Sequence, residues 1–134
     1  MTRVLFVEDE PRGVNAYFQA LERDGFSCVL ATDVKTAISR LQADKFEMLS
    51  LDIGFSLGKE FNDTVEPRLA GLHLLKQIRA GKIPNCDANL KVIVLTAVVS
   101  RQVEEEIRRL GVFDYLKKPI DFERAIETFK NARG

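Results

Sequence analysis

Apolar positions along this chain fall into two alternating patterns. One is the short continuous run: RVLFV at 3–7, SCVLA at 27–31, EMLSLD at 47–52, KVIVLT at 91–96 and FDYLKK at 113–118. Runs of this length, rich in β-branched and aromatic residues, suit strands buried on both faces. The other is the helical stripe, with apolar residues three and four apart. Val14, Tyr17, Phe18 and Leu21 form the first, and Val34, Ala37, Ile38 and Leu41 the second. Gly71, Leu74, Leu75 and Ile78 form the third. Val103, Ile107 and Leu110 form a fourth among many charges, so most of that helix is expected to face water. Phe122, Ala125, Ile126 and Phe129 form the last, all expected to point inward.

The punctuation agrees with this division. Pro11 is a start signal at a first helical position. Asp33, Ser100 and Asp121 are N-caps, whose side chains accept the otherwise unpaired amides of a first turn. Gly25, Gly81 and Gly111 fit the helix stops, and Pro119 ends the fifth strand. Five strands separated by helical stripes predict right-handed βαβ units and a parallel sheet covered on both faces, a three-layer doubly wound (βα)5 fold. The stretch 54–68, GFSLGKEFNDTVEPR, has no clean period and predicts a long loop, with room for a short helical turn.

Composition narrows the class. A length of 134 residues suits one domain, expected here over 1–134. Basic and acidic residues balance at 20 each, so no net charge draws the chain to nucleic acid or an anionic membrane. Cys28 and Cys86 do not make a disulfide framework, and Cys28 reads as a small buried residue. His73, the one histidine, lacks partners at zinc-ligand spacing and is expected on a helix surface. The start, MTRVLFVEDE, is too short and acidic for a signal peptide, and no apolar stretch suits a membrane span. A cytoplasmic location is the expectation.

Chemistry collects where the strands end. In a parallel sheet all carboxyl ends share one edge, and ligands bind outside it. Glu8 and Asp9 end the first strand, Asp52 the third, Thr96 the fourth and Lys118 the fifth. Three converging carboxylates repel one another unless a cation sits among them. Oxygen ligands favour a hard cation, and magnesium suits a site with few carboxylates. A hydroxyl and an ammonium opposite suit a phosphoryl group, and a carboxylate can act as its nucleophile. Asp52 lies centrally between the acids and the Thr96–Lys118 side. Each residue also has a plain reading: acids that favour a helix start, a solvated strand-end lysine, an ordinary β-branched threonine.

The segments VLFVEDE, LSLD, VIVLTA and FDYLKKP, in this order and at this spacing, resemble response-regulator receiver domains, the CheY-like family. The resemblance spans nearly the whole chain. It implies a flavodoxin-like sheet in the order 2-1-3-4-5. It implies that Asp52 accepts a phosphoryl group from a phosphohistidine on a histidine kinase or histidine phosphotransfer protein. It implies Mg2+ held by Asp9, Asp52 and the backbone carbonyl of Gly54, with Glu8 acting largely through water. It implies that Thr96 bonds a phosphoryl oxygen, that Lys118 pairs with its charge, and that Tyr115 is an aromatic switch turning inward with Thr96. A cis Lys118–Pro119 bond is a further expectation. The implied readout surface is helix four, strand five and helix five, for a downstream protein target or a homodimer, with no direct contact to nucleic acid or membrane. Such a domain is not a turnover enzyme. It catalyses its own phosphotransfer and its own dephosphorylation.

The chain departs from the family in one place. Gly71 follows Asp52 by 19 positions, roughly ten more than usual, and the customary proline-containing pair after the phosphoacceptor is absent. Phe55, Leu57, Phe61 and Val65 in this loop would fold over the site or dock a partner. The plain alternative is a tolerated insertion, since loop length costs little entropy. Gly54 and Val98 stand where side chains govern water access in the family. Two other functions compete. One is an aspartate-nucleophile phosphatase, against which stands Gly54 where that chemistry places a second aspartate. The other is a binding-only pseudo-receiver, against which stand the intact acids, Thr96 and Lys118. The sequence stops just after the last stripe, so the expectation is signalling by protein contact alone, or a piece of a longer protein.

Overall fold

The computed structural model describes residues 1–54, 69–97 and 100–134. The expectations placed on the 55–68 loop and on Val98 lie outside the described residues. Five strands form one sheet: β1 (Thr2–Val7), β2 (Phe26–Ala31), β3 (Met48–Leu51), β4 (Lys91–Thr96) and β5 (Asp114–Lys117). Its order is β2-β1-β3-β4-β5, and every neighbouring pair is parallel. The helices are α1 (Val14–Arg23), α2 (Val34–Ala43), α3 (Ala70–Arg79), α4 (Arg101–Leu110) and α5 (Phe122–Arg133).

Strand alternation divides the core into two layers. Leu5, Val7, Leu49, Leu51, Val92 and Val94 point to the side covered by α2, α3 and α4. Val4, Phe6, Met48, Ile93, Leu95 and Leu116 point to the side covered by α1 and α5. Phe6 and Phe129 meet there, with ring centroids 5.3 Å apart. The central strands are buried on both faces, while β2, at an edge, is mostly half-buried. That edge position leaves Cys28 half-buried rather than fully enclosed, with its thiol pushed up to about 12 by burial.

The predicted caps form. Asp33 accepts from the Thr36 amide at 2.7 Å, Ser100 from Val103 at 3.3 Å and Asp121 from Arg124 at 3.2 Å. Gly111 closes α4 with a φ of 88°, a conformation that favours glycine. Two expectations need correction. Pro11 opens a short 3-10 turn, Pro11–Gly13, and the α-helix begins only at Val14. Gly13 stands at the N-cap and offers no side chain to the first amides, so the entry winds as the tighter form. Phe122 is not inward. It is exposed and lies flat against half-buried Tyr17 of α1, with centroids 5.2 Å apart, and it is Ala125, Ile126 and Phe129 that join the core.

α4 rests lightly on the sheet. Of its ten residues only Ile107 is fully buried, with Val103 and Leu110 packed beside it. Arg79 at the end of α3 holds its far end, donating to the carbonyls of Leu110 at 3.0 Å and Gly111 at 2.7 Å. Ile107→Ala is expected to cost about 2–5 kcal/mol in urea denaturation, by lost burial and the cavity left. Glu105→Ala, on the exposed side, is expected to change stability by less than about 0.5 kcal/mol.

Candidate functional site

The carboxyl edge is built by backbone before side chains enter. The Glu8 amide donates to the Ala31 carbonyl at 3.0 Å, Asp52 to Val7 at 3.0 Å and Lys118 to Thr96 at 2.8 Å. Each residue therefore lies one position beyond its strand, yet its amide is still fixed to the adjacent strand. The side chains leave the sheet from rigid anchors.

Asp52 is 8% exposed and receives donors on both oxygens. Thr96 Oγ1 donates to Oδ1 at 3.0 Å, joined by the Gly54 amide at 3.2 Å. Lys118 Nζ donates to Oδ2 at 3.2 Å. Thr96 shares the strand face of Val92 and Val94, on the α4 side. Lys118 lines a cleft of about 300 Å³ with Phe6, Tyr17 and Leu95, on the α1/α5 side. Asp52 is thus gripped from both faces of the sheet.

The sequence calls for a cation among the carboxylates, and one is present in the chain itself. Lys118 Nζ lies 2.7 Å from Glu8 Oε2 as well as 3.2 Å from Asp52. Burial draws the lysine down, but its hydrogen bond to Glu8 and the two carboxylate charges outweigh that and leave it raised. Glu8 moves from the ordinary 4.5 to about 7. Burial raises it, the hydrogen bond from Lys118 pulls it back, and the Asp52 charge raises it further.

Carboxylate oxygens of Glu8, Asp9 and Asp52 lie within 4.8 Å of one another. An all-oxygen donor set of this kind could bind a hard divalent cation. Of Gly54, the amide contact to Asp52 is the feature the structure supplies. Tyr115 is buried, pairs in register with Val94 and lies under α4. The Lys118–Pro119 peptide is cis. His73 is half-buried on α3, 2.9 Å from Gln77, and takes no part.

One contributor was legible only as a helix position. Gly71, in the first turn of α3, donates its amide to the Ile53 carbonyl at 2.9 Å. A Cβ there would stand 2.2 Å from the Asp52 carbonyl oxygen and 2.6 Å from Ile53 Cα, both backbone. Glycine lets the helix start press directly on the segment that carries Asp52. Its place in the apolar stripe was the signal, but the partner it touches is far away in sequence. The apolar cleft beside Lys118 was likewise missed, since Phe6, Tyr17 and Leu95 come from three separate elements.

The family model for the response regulator receiver domain matches residues 4–130. Among curated proteins, the response regulator MprA of Mycobacterium avium is 30% identical over 126 residues, 92% of this chain and 47% of that protein. The two-component response regulator PprB of Pseudomonas aeruginosa is 27% identical over 117 residues, 87% of this chain and 38% of that protein. The chain therefore spans less than half the length of these relatives. Among solved structures, a response regulator receiver protein from Pseudomonas putida superposes with a TM-score of 0.79 at 24% identity, covering 97% of this chain and 96% of that one. The non-phosphorylated HemR receiver domain of Leptospira biflexa gives 0.78 at 20% identity, with 98% and 94% covered. Both support the fold. Among the described residues no helix is long and apolar enough to cross a membrane.

Gly71→Ala is expected to lose at least about 1–3 kcal/mol in thermal or urea denaturation, because backbone must move to admit the methyl group. Stability of the metal-free protein should also carry the Glu8 proton. Between about pH 4.5 and 7 the folded form keeps that proton and the unfolded chain has lost it, so this contribution falls as pH rises. Glu8→Gln is expected to flatten the slope of denaturation free energy across that window.

Proposed function

The chain belongs to the response regulator receiver family of two-component systems, and from that membership we propose that Asp52 is its phosphoacceptor. The donor is a phosphohistidine on a histidine kinase or histidine phosphotransfer protein. An Asp52 carboxylate oxygen forms the new O–P bond while the P–N bond to the donor ring breaks, and the bonding pair leaves with the ring nitrogen. The observation that supports this most is the set of donors on Asp52: Thr96 on one oxygen, Lys118 on the other, with Glu8 and Asp9 beside them. Such donors, aimed before the reaction at the place where charge develops, need little reorganisation during it.

Asp9, Asp52 and the Gly54 carbonyl would hold Mg2+, with Glu8 acting largely through water. When bound, the metal supplies positive charge against the phosphoryl oxygens. Lys118 stays charged and turns from the carboxylates to the phosphoryl group. Thr96 gives its hydroxyl to a phosphoryl oxygen. The acyl phosphate carries about −1.5 to −2 charges at neutral pH where the carboxylate carried a single one, so these contacts strengthen on phosphorylation. Tyr115, already buried, moves further inward with Thr96, and the surface of α4, β5 and α5 carries the change to a downstream protein or to a second copy of the chain. The domain serves as acceptor and switch in the cytoplasm and catalyses its own dephosphorylation, without acting on a separate substrate in turnover.

Incubation with acetyl phosphate and Mg2+, followed by mass mapping, is expected to place one phosphoryl adduct on Asp52. Chelation by EDTA or Asp52→Ala should remove it. Lys118→Ala should slow its formation by about 10²-fold, the scale for loss of one charge-stabilising donor. No adduct on Asp52 with donor and metal both present would sink the reading.

A further inference from the structure

Tyr115 does not lie under α4 by packing alone. The Arg108 guanidinium stands over its ring, 5.4 Å from the centroid. Arg108 is fixed in turn by Glu104, one helical turn earlier, at 2.9 Å. The second oxygen of the same carboxylate takes Lys117 Nζ of β5 at 3.0 Å. Glu104 therefore bridges α4 to β5 across the tyrosine, one oxygen to each cation. The hydrogen bonds from Lys117 and then from Arg108 hold its carboxyl below the ordinary value.

The position of this bridge matters because of register. Thr96 pairs with Lys117 and Val94 with Tyr115 across β4 and β5. Alternation puts Thr96, Tyr115 and Lys117 on the same face of the sheet. A path of contacts and paired neighbours thus runs from Asp52 through Thr96 to its β5 partner Lys117, and from Lys117 through Glu104 and Arg108 to the Tyr115 ring. Neither end of it is adjacent in sequence to the other.

We propose that Glu104, Arg108 and Lys117 form a latch that holds the Tyr115 ring inward and so sets the resting position of the switch. The three are positioning residues and touch no reacting atom. The latch deepens the receiver reading given above and rests on it for its link to phosphorylation, while its effect on Tyr115 stands on the contacts alone. Both cations are largely exposed, so the latch is weak, and a weak latch can be opened. A partner presenting its own carboxylate to Arg108 and Lys117 would compete with Glu104 and release the ring.

The chain has two tyrosines and no tryptophan, which makes the ring easy to follow. Nitration by tetranitromethane, mapped by mass spectrometry, reads the exposed fraction of Tyr115, with half-buried Tyr17 as internal reference. Without any phosphodonor, Glu104→Gln and Arg108→Gln should each raise the Tyr115-to-Tyr17 rate ratio by about four- to tenfold, the joint effect of one helix ion pair and one cation–π contact. Glu105→Gln should leave the ratio unchanged. Direct charge effects on the phenol run in opposite directions. Burial raises the Tyr115 pKa most, and beside it the Glu104 charge raises it and the Arg108 charge lowers it. A rise in both variants therefore reports exposure of the ring. In the parent protein, acetyl phosphate with Mg2+ should lower the Tyr115 nitration rate itself, read without the reference because Tyr17 shares the cleft with Lys118. An unchanged ratio in both folded variants overturns the latch. Failure to form the Asp52 adduct overturns the receiver reading and leaves the donor-free ratios to decide the latch by themselves.

Discussion

The hydrogen bond from the Asp52 amide to the Val7 carbonyl, 3.0 Å long, fixes the place from which the site is built. It belongs to a set. Glu8 is tied to Ala31 and Lys118 to Thr96 in the same manner, each one residue past a strand end. Parallel strands bring all these ends to one edge, and their register sets the offsets between side chains. A slip of one residue in any strand would send its side chain to the opposite face. The core on both faces is what prevents the slip, because it would push Leu49 and Leu51 into the layer packed around Met48 and draw Glu47 or Asp52 into the buried strand. The geometry of the site is thus a consequence of hydrophobic register.

Electrostatics then limits what such an edge can hold. Glu8, Asp9 and Asp52 repel, and the fold answers with Lys118 reaching two of them at once. The lysine serves as counter-ion in the metal-free protein and remains available to a more highly charged group. Glu8 is raised to about 7, first by burial and then by the Asp52 charge, against the pull of Lys118. An acid cluster left short of positive charge is a poor contribution to stability. It is also the condition under which a hard cation gains most by entering.

The two halves of the site differ in rigidity. On one side Gly71 lets α3 press against the Asp52 backbone with no room for a methyl group. On the other, α4 is carried by Ile107, the Arg79 contacts at its end and ion pairs at its surface. Asp52 is held tightly, and the helix beside Thr96 and Tyr115 is held by interactions that solvent and partners can reach. Motion on modification would be expected where the packing is thinnest.

The sequence by itself determined the elements, their order and the list of reactive residues. Apolar runs and stripes are local patterns, and Asp33, Ser100, Asp121 and Gly111 act within a few residues of themselves. Glu8, Asp9, Asp52, Thr96 and Lys118 could be gathered on paper because strand ends in a parallel sheet share an edge. Local rules failed where the neighbour was remote or missing. Phe122 followed the stripe but met Tyr17 of α1 rather than the core, and Pro11 opened a 3-10 turn because Gly13 gave the α-helix no side-chain cap. Tertiary structure alone decided that Lys118 bridges Glu8 and Asp52, that Gly71 faces the Asp52 carbonyl, and that Arg108 covers Tyr115. Each joins residues from different elements, and their distances follow from sheet register and helix packing, which no short stretch of sequence contains.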